Sequence, residues 1–217
     1  MSNREKLMIG SVGKIGGIGA AGTGNASLVN SSNFYFNGTD QYATVLTDQT
    51  VSRWTIETIF VMPAPGAINV IADSAGDSSI YVDAAGHVQV AYTNSSSALE
   101  TYDAGAVAAG DVVDLQVTSL LDALLVVALN GTQMPTSAPL ATQAPFTHFA
   151  SSAGLTNHFT GYINSFRKGQ HTGGLFTADI SYQNNYSFNE GSGTTFIDSI
   201  SADNATITNL GSGGGGW

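Results

Sequence analysis

The chain has no cysteine, and only 10% of its 217 residues are charged. Without thiols there is no disulfide scaffold and no thiolate nucleophile, so the core must be built from apolar burial alone. Ordinary globular domains carry about 25% charged residues, and this surface must therefore consist largely of Ser, Thr, Asn, Gln and Gly. Basic residues are the scarcest: Lys and Arg number six against sixteen Asp and Glu, and Arg4, Lys6 and Lys14 account for three of the six. A body with net charge −10 and no basic stripe cannot neutralise a phosphate backbone, which argues against nucleic acid as a partner. Membrane spans are missing too. The apolar run Ala123 to Leu129 falls far short of the ~20 residues that a spanning helix needs. Nor does any stretch between Phe34 and Leu210 hold a helical period.

What is present is alternation with a period of two. In Asp111 to Met134, Val113, Leu115 and Val117 alternate with Asp114, Gln116 and Thr118, the pattern of a half-buried strand. Ala123 to Leu129 follows as a strand apolar on both faces, which needs cover on both sides. Asn130-Gly131 then marks a tight hairpin, because both residues reach positive φ easily. Further strands are expected at Phe34 to Phe36, Tyr42 to Thr44, Trp54 to Val61, Ile68 to Ala72, Ser79 to Val82, His87 to Tyr92 and Phe159 to Arg167, separated by Gly, Asp and Pro turns. Regular short strands of this kind indicate a two-layer sandwich or a barrel.

Residues 1–33 read differently. Seven glycines lie between Gly10 and Gly24 with no sustained period, as in an extended arm. Gly17-Ile-Gly-Ala-Ala-Gly22 fits G-x-G-x-x-G, but no strand precedes it and no βαβ unit follows, so composition explains the match. Lys14 and the glycines interrupt any secretory signal. The chain thus divides into an arm at 1–33, a domain at 34–210 and a glycine-rich tail at 211–217.

Five motifs carry a resemblance to a known family. Phe36-Asn-Gly-Thr-Asp-Gln-Tyr42 resembles the F-D-G-x-x-D/N-Y opening of concanavalin A-like, laminin-G-like domains, and Trp54-Thr-Ile-Glu57 is similar to their F-T-I-E strand. Leu129-Asn-Gly131 resembles the Y-V-N-G hairpin, and Phe159-Thr-Gly-Tyr-Ile-Asn-Ser-Phe-Arg167 the F-x-G-x-I-D-x-V-R strand. Phe188-Asn-Glu-Gly-Ser-Gly-Thr-Thr195 with Asp198 is similar to F-D-E-G-S-G-T-x-x-x-D. The resemblance covers about 34–209 and implies an all-β jelly-roll sandwich of two antiparallel sheets. One departure concerns order: the last motif commonly leads a domain, whereas here it closes one. It could pair within its own domain, open a truncated repeat or pair with another subunit; pairing in the same chain, with Tyr182 to Leu210 ordered by its many large apolar residues, is the favoured reading.

No enzyme is expected. Related glucanases resemble this fold but set E-x-D-x-E on one strand, and cleavage with retention needs two carboxyls about 5–5.5 Å apart. Glu57 stands alone in its strand, as a structural carboxylate would. His87, His148, His158 and His171 are scattered without zinc spacing. The resemblance makes calcium the more fitting metal, with Asp40, Asp73 and Asp77 as candidate ligands. Seven N-x-S/T matches follow from composition.

Two functions remain. Laminin-G-like domains with a short arm resemble bacteriophage virion proteins, which implies a structural head-decoration or tail component, a homo-oligomer among other virion proteins, with a cell-surface glycan as a further partner. Low charge and only three lysines to guard sheet edges point the same way. The alternative is a free-standing, extracellular, lectin-like carbohydrate-binding module, in which Tyr81, Tyr92, Tyr102 or Trp54 stacks on sugar rings.

Overall fold

In the computed structural model the described residues are 34–45, 54–74, 78–94, 96–120, 124–134, 146–171, 180–210 and 216. The arm expected at 1–33 lies outside them. Fifteen strands and no helix occur among the described residues: β1 (Tyr35–Asn37), β2 (Tyr42–Thr44), β3 (Trp54–Val61), β4 (Asn69–Asp73), β5 (Ser78–Val82), β6 (His87–Thr93), β7 (Leu99–Ala106), β8 (Val112–Leu120), β9 (Leu124–Leu129), β10 (Thr132–Met134), β11 (His148–Phe149), β12 (Thr160–His171), β13 (Ile180–Tyr186), β14 (Thr195–Phe196) and β15 (Ala205–Thr208). They form two antiparallel sheets in a jelly-roll-like sandwich. One sheet has seven strands in the order β1-β12-β3-β8-β9-β10, with β13 also on β12; the other has eight, β14-β15-β2-β11-β4-β5-β6-β7.

The period-two pattern sorts side chains between the layers. On β3 and β8, Trp54, Ile56 and Phe60 join Val113, Leu115 and Val117 in the core. The expected hairpins form. Asn130 (φ 50°) and Gly131 (φ 76°) turn β9 into β10, with both positive values that a two-residue hairpin turn requires. Asn130 also locks the turn to β8, its side-chain oxygen accepting from the Asp114 N–H at 2.8 Å. β9 is covered on both faces as its apolar run demands. Leu125 and Val127 enter the core, while Val126, on the opposite side, is only 1% exposed.

Gly38 shows why the Asn37-Gly-Thr-Asp40 turn carries glycine. At φ 73° a Cβ there would stand 1.7 Å from Thr160 Oγ1, which no side chain could tolerate. Asn37 Oδ1 closes the turn by accepting from the N–H groups of Thr39, Asp40 and Gln41.

An aromatic cluster joins the start of the domain to its end. Phe34 packs on Phe36 and Phe196 with centroids 4.8 and 5.2 Å apart, and Phe188 on Phe196 at 4.6 Å. The terminal segment therefore pairs within its own chain: β15 lies on β2 and β14 on β15. Asp198, the closing residue of the last motif, organises this segment. Its carboxylate accepts from the side chains of Asn184 and Ser201 and from the N–H groups of Asn185, Ile200 and Ser201. Burial pushes its pKa up, and these hydrogen bonds outweigh that and hold it below the ordinary value.

Three details depart from expectation. Phe188, which opens the last motif, lies outside any strand and takes φ 50° at a bend, while its ring is fully buried. Of the large apolar residues in Tyr182 to Leu210, Ile197, Ile200 and Leu210 are exposed; around Ile200 the chain from β14 to β15 is folded by hydrogen bonds to Asp198 rather than by apolar contact. In the glycine-rich tail, Gly216 exchanges two backbone hydrogen bonds with Tyr35.

Candidate functional site

Two rows of side chains run across the eight-stranded sheet on the side turned away from the core. Ladder partners in a sheet point the same way, so Thr195, Thr206, Thr44, His148, Asp73, Ser79, Ala91 and Thr101 form one row through consecutive registers. The second row runs Val70, Tyr81, Gln89, Asp103 over β4 to β7. Their sequence neighbours Ile80, Val82, Val88, Val90 and Ala104 are core residues, which fixes the sidedness.

Around Tyr81, itself half-buried, the polar groups are held in place. Asp83, in the β5–β6 turn, accepts from the N–H groups of Ala85 and His87 with one oxygen, and from Gln89 Nε2 at 2.9 Å with the other. The bond from the His87 N–H leads in holding its carboxyl below the ordinary value. His87 Nδ1 lies 2.8 Å from Asp103 Oδ2. That hydrogen bond, with the carboxylate's charge, raises the His87 pKa. Toward the other end of the sheet, the Tyr42 ring lies 6.4 Å from that of His148 and 6.1 Å from that of His158. Burial lowers the His148 pKa against the opposing charge of Asp73.

Of the candidate stacking residues, the structure brings only Tyr81 to this face. Tyr92 is 2% exposed and sits in the core. Its hydroxyl donates to Glu100 Oε2 at 3.1 Å, and burial pushes its pKa up to about 12. Tyr102, partly buried, packs against the same core, and Trp54 is wholly within it. These three correct the expectation of a shared platform: Tyr92 and Tyr102 occupy inward positions of β6 and β7, one residue out of phase with Gln89 and Asp103. The sequence reading missed Tyr42, Gln89 and the His87–Asp103 pair, since nothing in a lone sequence reports strand register.

Two of the calcium candidates serve local hydrogen bonds. Asp40 accepts from Asn37 Nδ2 at 2.7 Å within its own turn, and Asp73 Oδ2 accepts from the Ala153 N–H at 2.6 Å. Asp77 lies outside the described residues. Among the described residues no group of three or more His, Asp or Glu is placed to hold a metal ion. Glu57 belongs to the other sheet, where Arg167, Tyr182 (3.0 Å) and Gln116 (3.3 Å) all donate to it.

No family model and no curated protein matches the sequence. Among solved structures, a candidate carbohydrate binding protein from Bacteroides ovatus ATCC 8483 superposes with a TM-score of 0.62 at 14% identity, over 82% of this chain and 58% of that one. The fold is a jelly-roll-like sandwich of two antiparallel sheets. At this identity the likeness shows the fold alone, and the chain spans 58% of that protein's length. A SAP-like pentraxin from Limulus polyphemus (TM-score 0.49, 13% identity, 83% of this chain and 98% of that one) is a looser likeness. So is the CBM40 of a Ruminococcus gnavus IT-sialidase (0.48, 13%, 63% and 87%). Neither bears on function.

Proposed function

We propose that the protein is a non-enzymatic carbohydrate-binding module that takes glycan on the outer face of the eight-stranded sheet. One observation carries the reading: the half-buried ring of Tyr81 lies in register with Gln89 and Asp103. A sugar presents an apolar ring face and a rim of hydroxyls, and is recognised by an aromatic ring bordered by fixed groups that both donate and accept hydrogen bonds. The amide of Gln89, the carboxylates of Asp83 and Asp103 and the imidazole of His87 supply that border. The likeness in fold to a candidate carbohydrate binding protein supports it. Glu57, the one carboxylate on β3, is occupied by three donors on the other sheet, in keeping with binding without turnover. An extracellular setting, where glycans are met, goes with this reading. A virion setting rests on the resemblance and the arm at 1–33, outside the described residues, and a homo-oligomer on low charge and few lysines; the sheet face favours neither.

The test is retention on a panel of immobilised polysaccharides and glycans, with release of reducing ends measured alongside. The wild type should bind at least one glycan, and Tyr81→Ala with Gln89→Ala should weaken binding by about tenfold or more, the loss of one stacked ring and its hydrogen-bonding border. Binding to no glycan, or binding indifferent to both substitutions, overturns the proposal; turnover overturns its non-enzymatic half.

A further inference from the structure

Two Asn-Gly steps occur in the chain, Asn37-Gly38 and Asn130-Gly131, and the fold treats them in opposite ways. Asn37 is closed on its surroundings. Its Oδ1 accepts from the N–H groups of Thr39, Asp40 and Gln41, and its Nδ2 donates to Asp40 Oδ1 at 2.7 Å. Gly38 beside it is packed against Thr160, with no room for as much as a Cβ. Asn130 is open. It is exposed at the tip of the β9–β10 hairpin, and its side chain makes one hydrogen bond among the described residues, with Oδ1 accepting from the Asp114 N–H at 2.8 Å. Neither its Nδ2 nor the N–H of Gly131 has a partner among them, and nothing stands within 4 Å of the place that a Cβ would take on Gly131.

An asparagine amide carbon is an electrophile, and the backbone nitrogen of the next residue is the nucleophile nearest to it. Every residue except glycine shields that nitrogen with its own side chain. Reaction between the two therefore needs three things in one place: a following glycine, a side chain free to turn its Cγ onto the nitrogen, and access for water. Asn130-Gly131 has all three. Asn37 has only the glycine, because turning its Cγ means giving up four hydrogen bonds at once, among them those that close the turn between β1 and β2. The sequence alone ranks the two steps equally.

We infer that Asn130 is a site of spontaneous deamidation and that the folded protein spares Asn37. The Gly131 nitrogen loses its proton to solvent base and bonds to Asn130 Cγ; the Cγ–Nδ2 bond breaks, and Nδ2 takes up a proton and leaves as ammonia. Water then opens the succinimide ring at either carbonyl, giving aspartate or isoaspartate. Both products place a carboxylate beside the exposed Asp114, whose N–H holds the Asn130 side chain. Isoaspartate also routes the main chain through an extra methylene inside a two-residue turn, so the register of Thr132, Gln133 and Met134 on Leu129, Ala128 and Val127 no longer closes. β10 is an edge of the seven-stranded sheet. The change therefore loosens that edge and leaves the face carrying Tyr81, on the other sheet, as it was.

The test is a time course of the full-length native protein at neutral and at alkaline pH, beside the same course in guanidinium chloride. Peptide mapping by mass spectrometry reads the conversion of Asn to Asp at each step, and enzymatic methylation reads isoaspartate. In the denaturant the two Asn-Gly steps should convert at similar rates, since nothing distinguishes them there. In the native protein Asn130 should convert at least about tenfold faster than Asn37, a factor that the net worth of one or two hydrogen bonds already gives. Its rate should rise at alkaline pH, where more of the Gly131 nitrogen is deprotonated. Asn130→Asp, which keeps the turn preference, should coelute on ion exchange with the aspartate form that accumulates in the wild type. Conversion of Asn37 as fast as Asn130 in the native protein overturns the inference. So does an Asn130 that persists in the native protein while the same step converts in the denaturant.

Discussion

The sides of the two sheets turned away from the core differ in what is left open. On the seven-stranded sheet the groups are closed on one another. Thr55 and Thr118, each 1% exposed, share a hydrogen bond at 3.1 Å, and Val126 beside them is equally buried. Next to them Glu57 accepts from Arg167, Tyr182 and Gln116, and the Arg167 guanidinium lies 4.8 Å over the Tyr182 ring. Burial, then the charge of Glu57, pushes the Tyr182 hydroxyl up to about 12. The eight-stranded sheet is more open: Val70, Gln89 and Ala91 are buried on that side too, but Tyr42 and Tyr81 are half-buried and Asp103 is exposed. Among the described residues Arg167 is thus placed where a carboxylate consumes it, and no strand of the eight-stranded sheet carries a Lys or Arg. In one fold, the same alternation builds a closed structural face on one layer and, on the other, the face proposed here for glycan.

The largest test of that division removes the end of the chain. Truncation after Gln183 deletes β14 and β15 from the eight-stranded sheet and takes Tyr186, Phe188, Phe196, Ala205 and Ile207 out of the core. Each large side chain stabilises by about 1.5–3 kcal/mol when buried, and the sum is comparable with a whole domain's stability of about 5–15 kcal/mol. The truncated protein should lack a cooperative melting transition. A folded truncation would mean that the recognition face stands without its terminal strands.

Glu57→Ala should come next. It leaves Arg167 with an unpaired charge in a setting where its side chain is 20% exposed and that of Glu57 16%. Removing one partner of such a pair costs about 3 kcal/mol, because the remaining charge and hydroxyl lose their acceptor. Denaturant unfolding should show this loss with glycan binding unchanged in the surviving native fraction. Loss of binding at full stability would place the ligand on the wrong sheet.

Legibility in the sequence followed the strength of the alternation. β3, β8 and β9 were readable because a strand buried on one or both faces must place apolar residues at fixed intervals. β7 was not: Leu99-Glu-Thr-Tyr-Asp-Ala-Gly-Ala106 is an edge strand with few core positions, so no period marks it. β13, at Ile180-Ser-Tyr-Gln-Asn-Asn-Tyr186, also escaped notice, since its polar residues are held by Asp198 and by Ser199 and Ser201 rather than by apolar packing. The site was less readable than the fold. Whether Tyr81 or Tyr92 faces outward depends on the turn between β5 and β6, and the partners of Gln89 depend on a bulge between Val88 and Gln89. Such details are set by pairing between strands. Tyr42 was read as a family marker, and its position beside His148 and His158 emerges only once β2, β11 and the 157–159 segment are brought together.

The smallest effect sharpens the comparison within the open face itself. His87 and His148 both sit there, and their protonation should work in opposite senses. The hydrogen bond that the His87 ring donates to Asp103 raises the His87 pKa, aided by the charges of Asp103 and Asp83 against a little desolvation. The folded state therefore holds that proton more tightly than the unfolded chain does. Its contribution is complete below the unfolded value of about 6.5 and is lost as pH rises through the higher folded value. His148 is lowered, by burial first, with Asp73 opposing and the ring of Tyr42 beside it. Here the unfolded chain binds the proton better, so stability is held above about 6.5 and lost as pH falls toward the lower folded value. Nuclear magnetic resonance titration of the imidazole protons should place His87 above and His148 below 6.5. Asp103→Asn should return His87 toward its ordinary value without moving His148, and Asp73→Asn should depress His148 further. Coincident midpoints for the two rings, or an unshifted His87 in Asp103→Asn, would contradict the pairing seen across β6 and β7. Because His87 and Asp103 are largely exposed, solvent screens their interaction, and the titration rather than the melting temperature is where the difference should be read.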